Sequence, residues 1–377
     1  MNFRPASKSR EGHARAAMPM KTLLLAVDVA DLRSASARAS IATAAEILRR
    51  GGTVAFPTET VYGLGANALD PEAVAGIFAA KQRPSWDPLI VHVSDSAMLH
   101  RVAAEITPNA MRLIDAFWPG PLTLLLPRHP AIPLAVTAGR PLVGVRMPQH
   151  PVAHALIAAA DLPIAAPSAN TFGRTSPTQA RHVAEDLEGR IDAILDSGET
   201  THGLESTVID AGPDPATGAP VIVYRPGVIT IEQIRAVCPD AVAYIAPDQP
   251  QTCEPESLPS PGVALRHYAP RARLILIDGE GDLQKGAFAK AVLAEQSSDN
   301  RLGLMLPDVF ESPALGHDAL VYRWGRWDNH EELAQRLFAG LRWLDAAGAT
   351  VILCPLPAPT GIGVAIRDRL KKAARSD

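Results

Sequence analysis

The chain has 377 residues, 47% hydrophobic and 20% charged, and carries a net charge of -4. That is the profile of an ordinary globular protein long enough for two domains, and it is not basic enough to demand nucleic acid, although local patches could still bind it. The three cysteines, Cys238, Cys253 and Cys354, lie far apart and form no CxxC pair, which disfavours a disulfide framework or a cysteine metal site and suits a reducing cytosol.

Residues 1–19 are basic, with Arg4, Lys8, Arg10 and Arg15 against a single Glu11. They read as an extension that resembles a transit peptide weakly, with Met20 as an alternative start. A strand is expected over 23–27. Residues 37–50 carry Ile41, Ala44, Ala45 and Leu48 at helical spacing and stop at Gly51-Gly52. A strand over 53–56 runs into Pro57-Thr58-Glu59-Thr60-Val61-Tyr62-Gly63-Leu64-Gly65, where two hydroxyls, a carboxylate and two glycines at a strand end suggest a ligand edge. The glycine pair lacks the third member of a dinucleotide fingerprint, and no Walker loop occurs in the chain.

Asp70-Pro71-Glu72 has the cap, first-position proline and first-turn acid of a helix start. The helix over 73–80 ends in Lys81 and Arg83, and Pro84 and Pro88 forbid its continuation. A short buried strand over 89–93 carries His92. Two cations on a stiff loop suit a phosphate or carboxylate; the plain alternative is that they complement the helix dipole in solvent. A helix over 108–117, a turn at 118–121 and strands over 122–126 and 142–147 follow. The second of these strands carries Arg146, which must be an edge residue or a paired one. After a helix over 150–160 and a strand over 163–166, Ser168 and Asn170 stand at a strand end, either as ligand groups or as a simple turn.

A helix is expected from Ser176 to Leu187, then strands over 192–195 and 221–225 and a helix over 230–237 capped by Thr230. Residues 239–262 hold six prolines and no periodicity, the mark of a linker, which ends before Arg266-His267-Tyr268-Ala269-Pro270. Beyond Arg271, strands over 274–277, 302–306, 320–322 and 350–353 alternate with helices over 283–295, 331–346 and 364–373. This describes a small doubly wound α/β domain whose basic last helix reads as a solvated face. No apolar run approaches the roughly 18 residues of a membrane helix.

Taken together, several motifs resemble the YrdC-like family, the L-threonylcarbamoyladenylate synthases. They are the 57–64 edge, Lys81-x-Arg83 paired with Ser168-x-Asn170, Pro88-Leu89-Ile90-Val91-His92, Trp118-Pro119-Gly120-Pro121-Leu122-Thr123, Val145-Arg146-Met147-Pro148, Glu205-Ser206-Thr207-Val208 and Arg225-Pro226-Gly227. The 266–270 segment and the second domain resemble the family's long, two-domain form.

The resemblance implies a twisted, mixed α/β domain with a large concave cavity over residues 35–238, after an N-terminal extension and first strand in 1–34. A proline-rich linker over 239–270 would cover the active site, and a Rossmann-like domain would fill 271–377. It implies a cytoplasmic enzyme that condenses L-threonine, bicarbonate or CO2 and ATP, with Mg2+, to threonylcarbamoyl-AMP and diphosphate. The product would feed the N6-threonylcarbamoyladenosine modification of tRNA through partner proteins, with direct tRNA contact left open.

By resemblance, Thr60, His92, Arg146, Ala166 and Ser206 would hold L-threonine. Lys81, Arg83, Asp87, Ser168, Asn170, Ser176, Arg225 and Tyr268 would surround ATP, with Lys81 and Arg83 catalytic and no protein metal site. The family often has Asn where Asp87 stands, which adds a negative charge near the phosphates. Two other readings compete: an RNA-binding module without chemistry, and a carbamoyl transferase like the related domain of hydrogenase maturation proteins, whose zinc fingers this chain lacks the cysteines to build. The second domain reads as a lid support, a regulatory unit or a dock.

Overall fold

The computed structural model describes residues 21–212, 220–245, 257–260, 262, 268–296, 300–311 and 319–375. The basic extension, Cys253, Arg266 and His267 lie outside them. Strands β1 (Leu23–Ala26), β2 (Val54–Phe56), β3 (Gly63–Asn67), β4 (Ile90–His92), β5 (Leu122–Pro127), β6 (Leu142–Arg146), β7 (Ile164–Ala165), β8 (Ala193–Asp196), β9 (Thr207–Asp210), β10 (Ile222–Arg225) and β11 (Val242–Ala243) belong to the first domain. They join in one 11-stranded mixed sheet of order β1-β8-β2-β3-β7-β4-β6-β5-β9-β10-β11. The first strand is thus part of this sheet, paired in parallel with β8. Strand β11 falls inside the proline-rich stretch and adds to β10 in parallel.

Helices α1 (Ala35–Arg49), α2 (Pro71–Lys81), α3 (Ser96–His100), α4 (Pro108–Phe117), α5 (Leu134–Thr137), α6 (Pro151–Ala160), α7 (Ala180–Leu187) and α8 (Ile231–Val237) complete the domain. Their starts follow local chemistry. The Asp70 carboxylate accepts from Glu72 N ahead of Pro71, and Thr230 and Gln233 form a reciprocal capping box. The predicted start at Ser176 is wrong: helix α7 begins at Ala180 because Pro177 O is taken by Tyr62 N and Ser176 is buried against Glu205. Gly65 is required by packing within the sheet, since a Cβ there would lie 2.7 Å from Ile164 and 2.8 Å from Phe56.

In the second domain, β12 (Arg273–Ile277), β13 (Leu302–Pro307), β14 (Leu320–Gly325) and β15 (Val351–Pro355) form a 4-stranded parallel sheet of order β12-β15-β13-β14. Helix α9 (Gly281–Gln296) packs Phe288 and Val292 on one face. Helices α10 (His330–Ala346) and α11 (Gly363–Ala373) bury Leu333, Leu337, Ile366 and Leu370 on the other. The core on that second face takes in Val61, Leu204, Val228 and Tyr268, so the two domains share one apolar seam. Arg342 of α10 reinforces it by donating to Thr175 O at 2.6 Å and to Asp186 at 2.8 Å.

Helix α11 is not the solvated face its charge suggested. Arg369 is 1% exposed, and Gly363, Ala365, Ile366, Leu370 and Ala373 are buried beside it. A basic composition marks which residues are charged, not which way they point.

Candidate functional site

A cleft with about 560 Å3 of empty space, counted out to its open mouth, lies where the ends of β4, β6 and β10 meet the loops after β2 and β7. Thr60, Arg83, His92, Arg146, Ala166, Ser168, Ser206, Arg225 and Tyr268 line it, together with Thr58, Glu205 and the linker's Gly262.

One corner is built around Arg146. Strand β6 is interior, between β4 and β5, so the arginine is paired rather than at an edge. Its Nη1 donates to Thr60 Oγ1 at 2.9 Å and its Nε to Gly120 O at 3.2 Å. Its Nη2 lies 2.6 Å from Glu59 Oε1, an ion-pair contact whose angle falls outside hydrogen-bond geometry. Burial, the largest single influence, pushes the Glu59 carboxyl up, but the Arg146 charge together with the polar contacts from Arg146 and the backbone outweighs it and holds the group below the ordinary carboxylate range. Thr58 folds the edge into an ST turn, accepting from Thr60 N and donating to Val61 O.

His92 stands beside Arg146 in register on β4 and meets Phe56 edge-on. Burial, then the Arg146 charge, pushes its pKa down to about 3, so the imidazole is neutral. Its Nδ1 is buried with no hydrogen-bond partner among the described residues. That gives the cleft wall a buried polar atom able to bond a polar ligand.

The opposite end is basic. Arg225 donates to Ser206 O at 2.9 Å and to Ser206 Oγ at 3.1 Å, and that hydroxyl also bonds Thr123 Oγ1 at 2.7 Å. Gly227 lets this turn close, since a Cβ there would lie 2.5 Å from Thr207 N. Arg83 donates to Pro88 O at 2.8 Å and lies 2.9 Å from Asp87 Oδ2 as an ion pair, with its guanidinium 5.7 Å from the Phe172 ring centre.

Four of the expected site residues stand behind the wall. Lys81 is 1% exposed, and its Nζ donates to Ser168 O at 2.6 Å and Asn170 O at 2.5 Å. Burial, then the neighbouring Arg83, moves its pKa well below the usual lysine value. Asp87 is the counter-charge of Arg83; burial raises its pKa against the pull of that arginine. Asn170 donates to Thr171 O and Arg174 O and shapes its own loop. Ser176 donates to Glu205 Oε1.

The linker closes over this end. Leu258 N bonds Trp86 O at 3.0 Å and Ala269 N bonds Gly173 O at 2.8 Å, so the chain is pinned to both loops that flank Lys81. Tyr268 is buried within the second domain's core cluster. Sequence reasoning passed over three further groups. Glu59 counted only as the carboxylate of the 57–65 ligand edge and Glu205 stood in a motif without a role; their buried cation partners were the missing information. Arg369 offered no signal at all. A second hollow, between Tyr224, Tyr244 and the outer side of α11, has Arg367 and Lys372 already paired with Asp278 and Asp368.

For Mg2+, the acids at the cleft are engaged by cations, Glu59 with Arg146, Asp87 with Arg83 and Glu205 with Arg369. Among the described residues no group of three or more His, Cys, Asp or Glu could hold a metal. Such a lining fits a cation carried in on substrate phosphates better than a protein cage. No helix among the described residues is long and apolar enough to cross a membrane.

Residues 46–227 match the family described as Telomere recombination, and residues 229–375 match the C-terminal domain of threonylcarbamoyl-AMP synthase. The chain is 42% identical to a threonylcarbamoyl-AMP synthase of Pyrococcus abyssi, over 89% of this chain and 94% of that one. It is 43% identical to one of Bacillus subtilis, over 94% and 98%. A crystal structure of P. abyssi Sua5 complexed with L-threonine superposes with a TM-score of 0.83 at 39% identity, covering 94% of this chain and 98% of that one.

Proposed function

The chain belongs to the threonylcarbamoyl-AMP synthase family in its two-domain form, and we propose from that premise how its own residues run the reaction. It is a transferase that makes threonylcarbamoyl-AMP for the threonylcarbamoyladenosine modification of tRNA. The substrates are L-threonine, CO2 or bicarbonate, and ATP.

The buried corner of Arg146, Thr60 and His92 carries the reading. Threonine presents a carboxylate, an amine and a hydroxyl. A guanidinium has more N–H groups than the three contacts of Arg146 consume, so donors remain for the carboxylate. The orphaned Nδ1 of neutral His92 offers a hydrogen bond to the hydroxyl or amine. Ala166 and the Ser206 hydroxyl complete this wall. The related Sua5 structure complexed with L-threonine supports threonine as a substrate.

The amine lone pair attacks CO2 and loses a proton, giving a carbamate. A carbamate oxygen then attacks the α-phosphorus, the bond to the bridging oxygen breaks, and diphosphate leaves. Arg83 and Arg225 offset the charge on the phosphates, and Ser168 lines their path. Lys81 acts one layer back, holding the Ser168 and Asn170 carbonyls so that the loop keeps its shape. Mg2+ bound to the triphosphate supplies further charge neutralisation. Gly262 and Tyr268 of the linker line this end and help exclude water that would hydrolyse the adenylate. Other proteins then take the threonylcarbamoyl group to tRNA. The match across both domains favours the synthase over a non-catalytic RNA module or a carbamoyl transferase.

The test is diphosphate release from ATP. Release that requires both threonine and bicarbonate supports the synthase. Valine lacks the hydroxyl and should be rejected more strongly than serine, which keeps it. Release indifferent to threonine refutes the reading.

A further inference from the structure

Arg369 belongs to the second domain, yet its side chain is fully buried against the catalytic cleft of the first. Its Nε donates to Glu205 Oε2 at 2.7 Å, its Nη2 to Pro226 O at 3.0 Å and its Nη1 to Asp368 Oδ2 at 2.6 Å. The guanidinium carbon lies 5.1 Å from the Tyr268 ring centre, and the same ring stacks on Phe338 at 5.7 Å. Glu205, Arg225 and Tyr268 line the cleft, whereas Arg369 stands behind them.

We infer that Arg369 is a positioning residue of the synthase reaction: it neutralises Glu205 and fixes Tyr268, so that the last helix of the second domain sets how well the cleft takes ATP. The inference rests on the cleft being the synthase site.

Two arguments carry it. The first is electrostatic. Glu205 is a buried carboxylate on the wall that must accept a polyanion. Alone it would repel triphosphate; ion-paired with Arg369 it does not, and the pairing leaves Arg225 free to act as a cation toward the ligand. The second is conformational. Tyr268 has φ of 65°, a left-handed backbone that a non-glycine residue holds only when its surroundings dictate it. The ring contacts with Arg369 and Phe338 are what dictate it here. Lys372, one turn along the same helix, donates to Gly262 O at 2.7 Å. Helix α11 therefore grips Gly262 and Tyr268, the two cleft-lining residues of the linker among those described. In the threonine corner Arg146 is held separately by Glu59 and Thr60, and the Ser206 hydroxyl is held by Thr123 on β5, so that corner should not feel the change.

The experiment uses the full chain as wild type, Arg369→Met, Arg369→Lys, Glu205→Gln and the double variant Glu205→Gln with Arg369→Met. Diphosphate release is measured against ATP and against threonine. Arg369→Met should raise KM for ATP by about 10- to 100-fold while KM for threonine stays within about twofold. Glu205→Gln in the double variant should recover most of the ATP effect, because the unpaired carboxylate is gone. Arg369→Lys should fall between, keeping the charge but losing the planar contact with Tyr268.

Thermal midpoints and circular dichroism show which variants fold. If Arg369→Met does not, the lysine and double variants carry the comparison. A folded Arg369→Met with unchanged KM for ATP, or a double variant no better than the single, overturns the inference alone. A wild-type chain without threonine-dependent release overturns the reading of the cleft, and the inference with it.

Discussion

Replacing His92 by Gln should flatten the acid limb of the stability curve. His92 is 4% exposed, and burial together with the Arg146 charge pushes its pKa down to about 3. An unfolded chain returns it to the ordinary histidine value near 6.5. The folded pKa lies below the unfolded one, so protons bind the unfolded chain preferentially between those values. The contribution of His92 is therefore fully present above about pH 6.5 and is lost as the pH falls toward the folded value. Near pH 5.5 the unfolded imidazole is mostly charged and the folded one is neutral, so the slope approaches about 1.2 kcal/mol per pH unit. Between pH 7 and pH 5 the loss totals about 2 kcal/mol. His182 is shifted in the same direction, by burial and by Arg342, and its share persists in the variant. Urea unfolding followed by far-UV circular dichroism across this range gives the two slopes. The wild type should exceed His92→Gln by about 1 kcal/mol per pH unit. Equal slopes would mean that His92 titrates in the folded chain as it does in water, and the sealed corner beside Arg146 would have to be abandoned.

Further outcomes follow from the same geometry. Lys81→Met strands the carbonyls of Ser168 and Asn170 in the interior; it should cost about 2–4 kcal/mol in denaturant titrations and lower turnover at least about 100-fold. Asp87→Asn removes the counter-charge of Arg83 without removing bulk; the variant should fold and bind ATP as tightly as wild type or more tightly, and lost ATP binding by isothermal calorimetry would make Asp87 a ligand. Glu59→Gln loosens Arg146; KM for threonine should rise about tenfold and KM for ATP should not. Arg342→Ala leaves Asp186 and Thr175 O without their cross-domain donor; a loss of about 3 kcal/mol is expected, seen as a lower thermal midpoint with KM for threonine unchanged.

Much of the local structure could be read from residues a few positions apart. The stretch 108–117 was readable as a helix to the residue, and Asp70-Pro71-Glu72 announces α2 because cap and dipole chemistry act within one turn. The parallel second domain follows from its alternation of strand and helix. The motifs named Thr60, His92, Arg146, Ala166 and Ser206, and the fold does bring these side chains together along one cleft.

Other features depend on partners far along the chain. That Arg146 is interior rather than at an edge was decided by the strand order, and its counter-ion Glu59 lies on a different segment. Lys81 and Arg83 look equivalent in the sequence. Gln82 at φ 54° turns the chain between them, so Lys81 points into the Ser168–Asn170 loop while Arg83 reaches the cleft. The last helix shows the limit most plainly. Its basic composition is visible in the sequence, but a pattern of charges carries no information about a carboxylate 164 positions away. By itself the sequence determined most of the elements, through short-range propensity and caps, and its motifs carried the resemblance to the family. Tertiary structure alone decided which charges meet, because burial and ion pairing are properties of surfaces brought together in space.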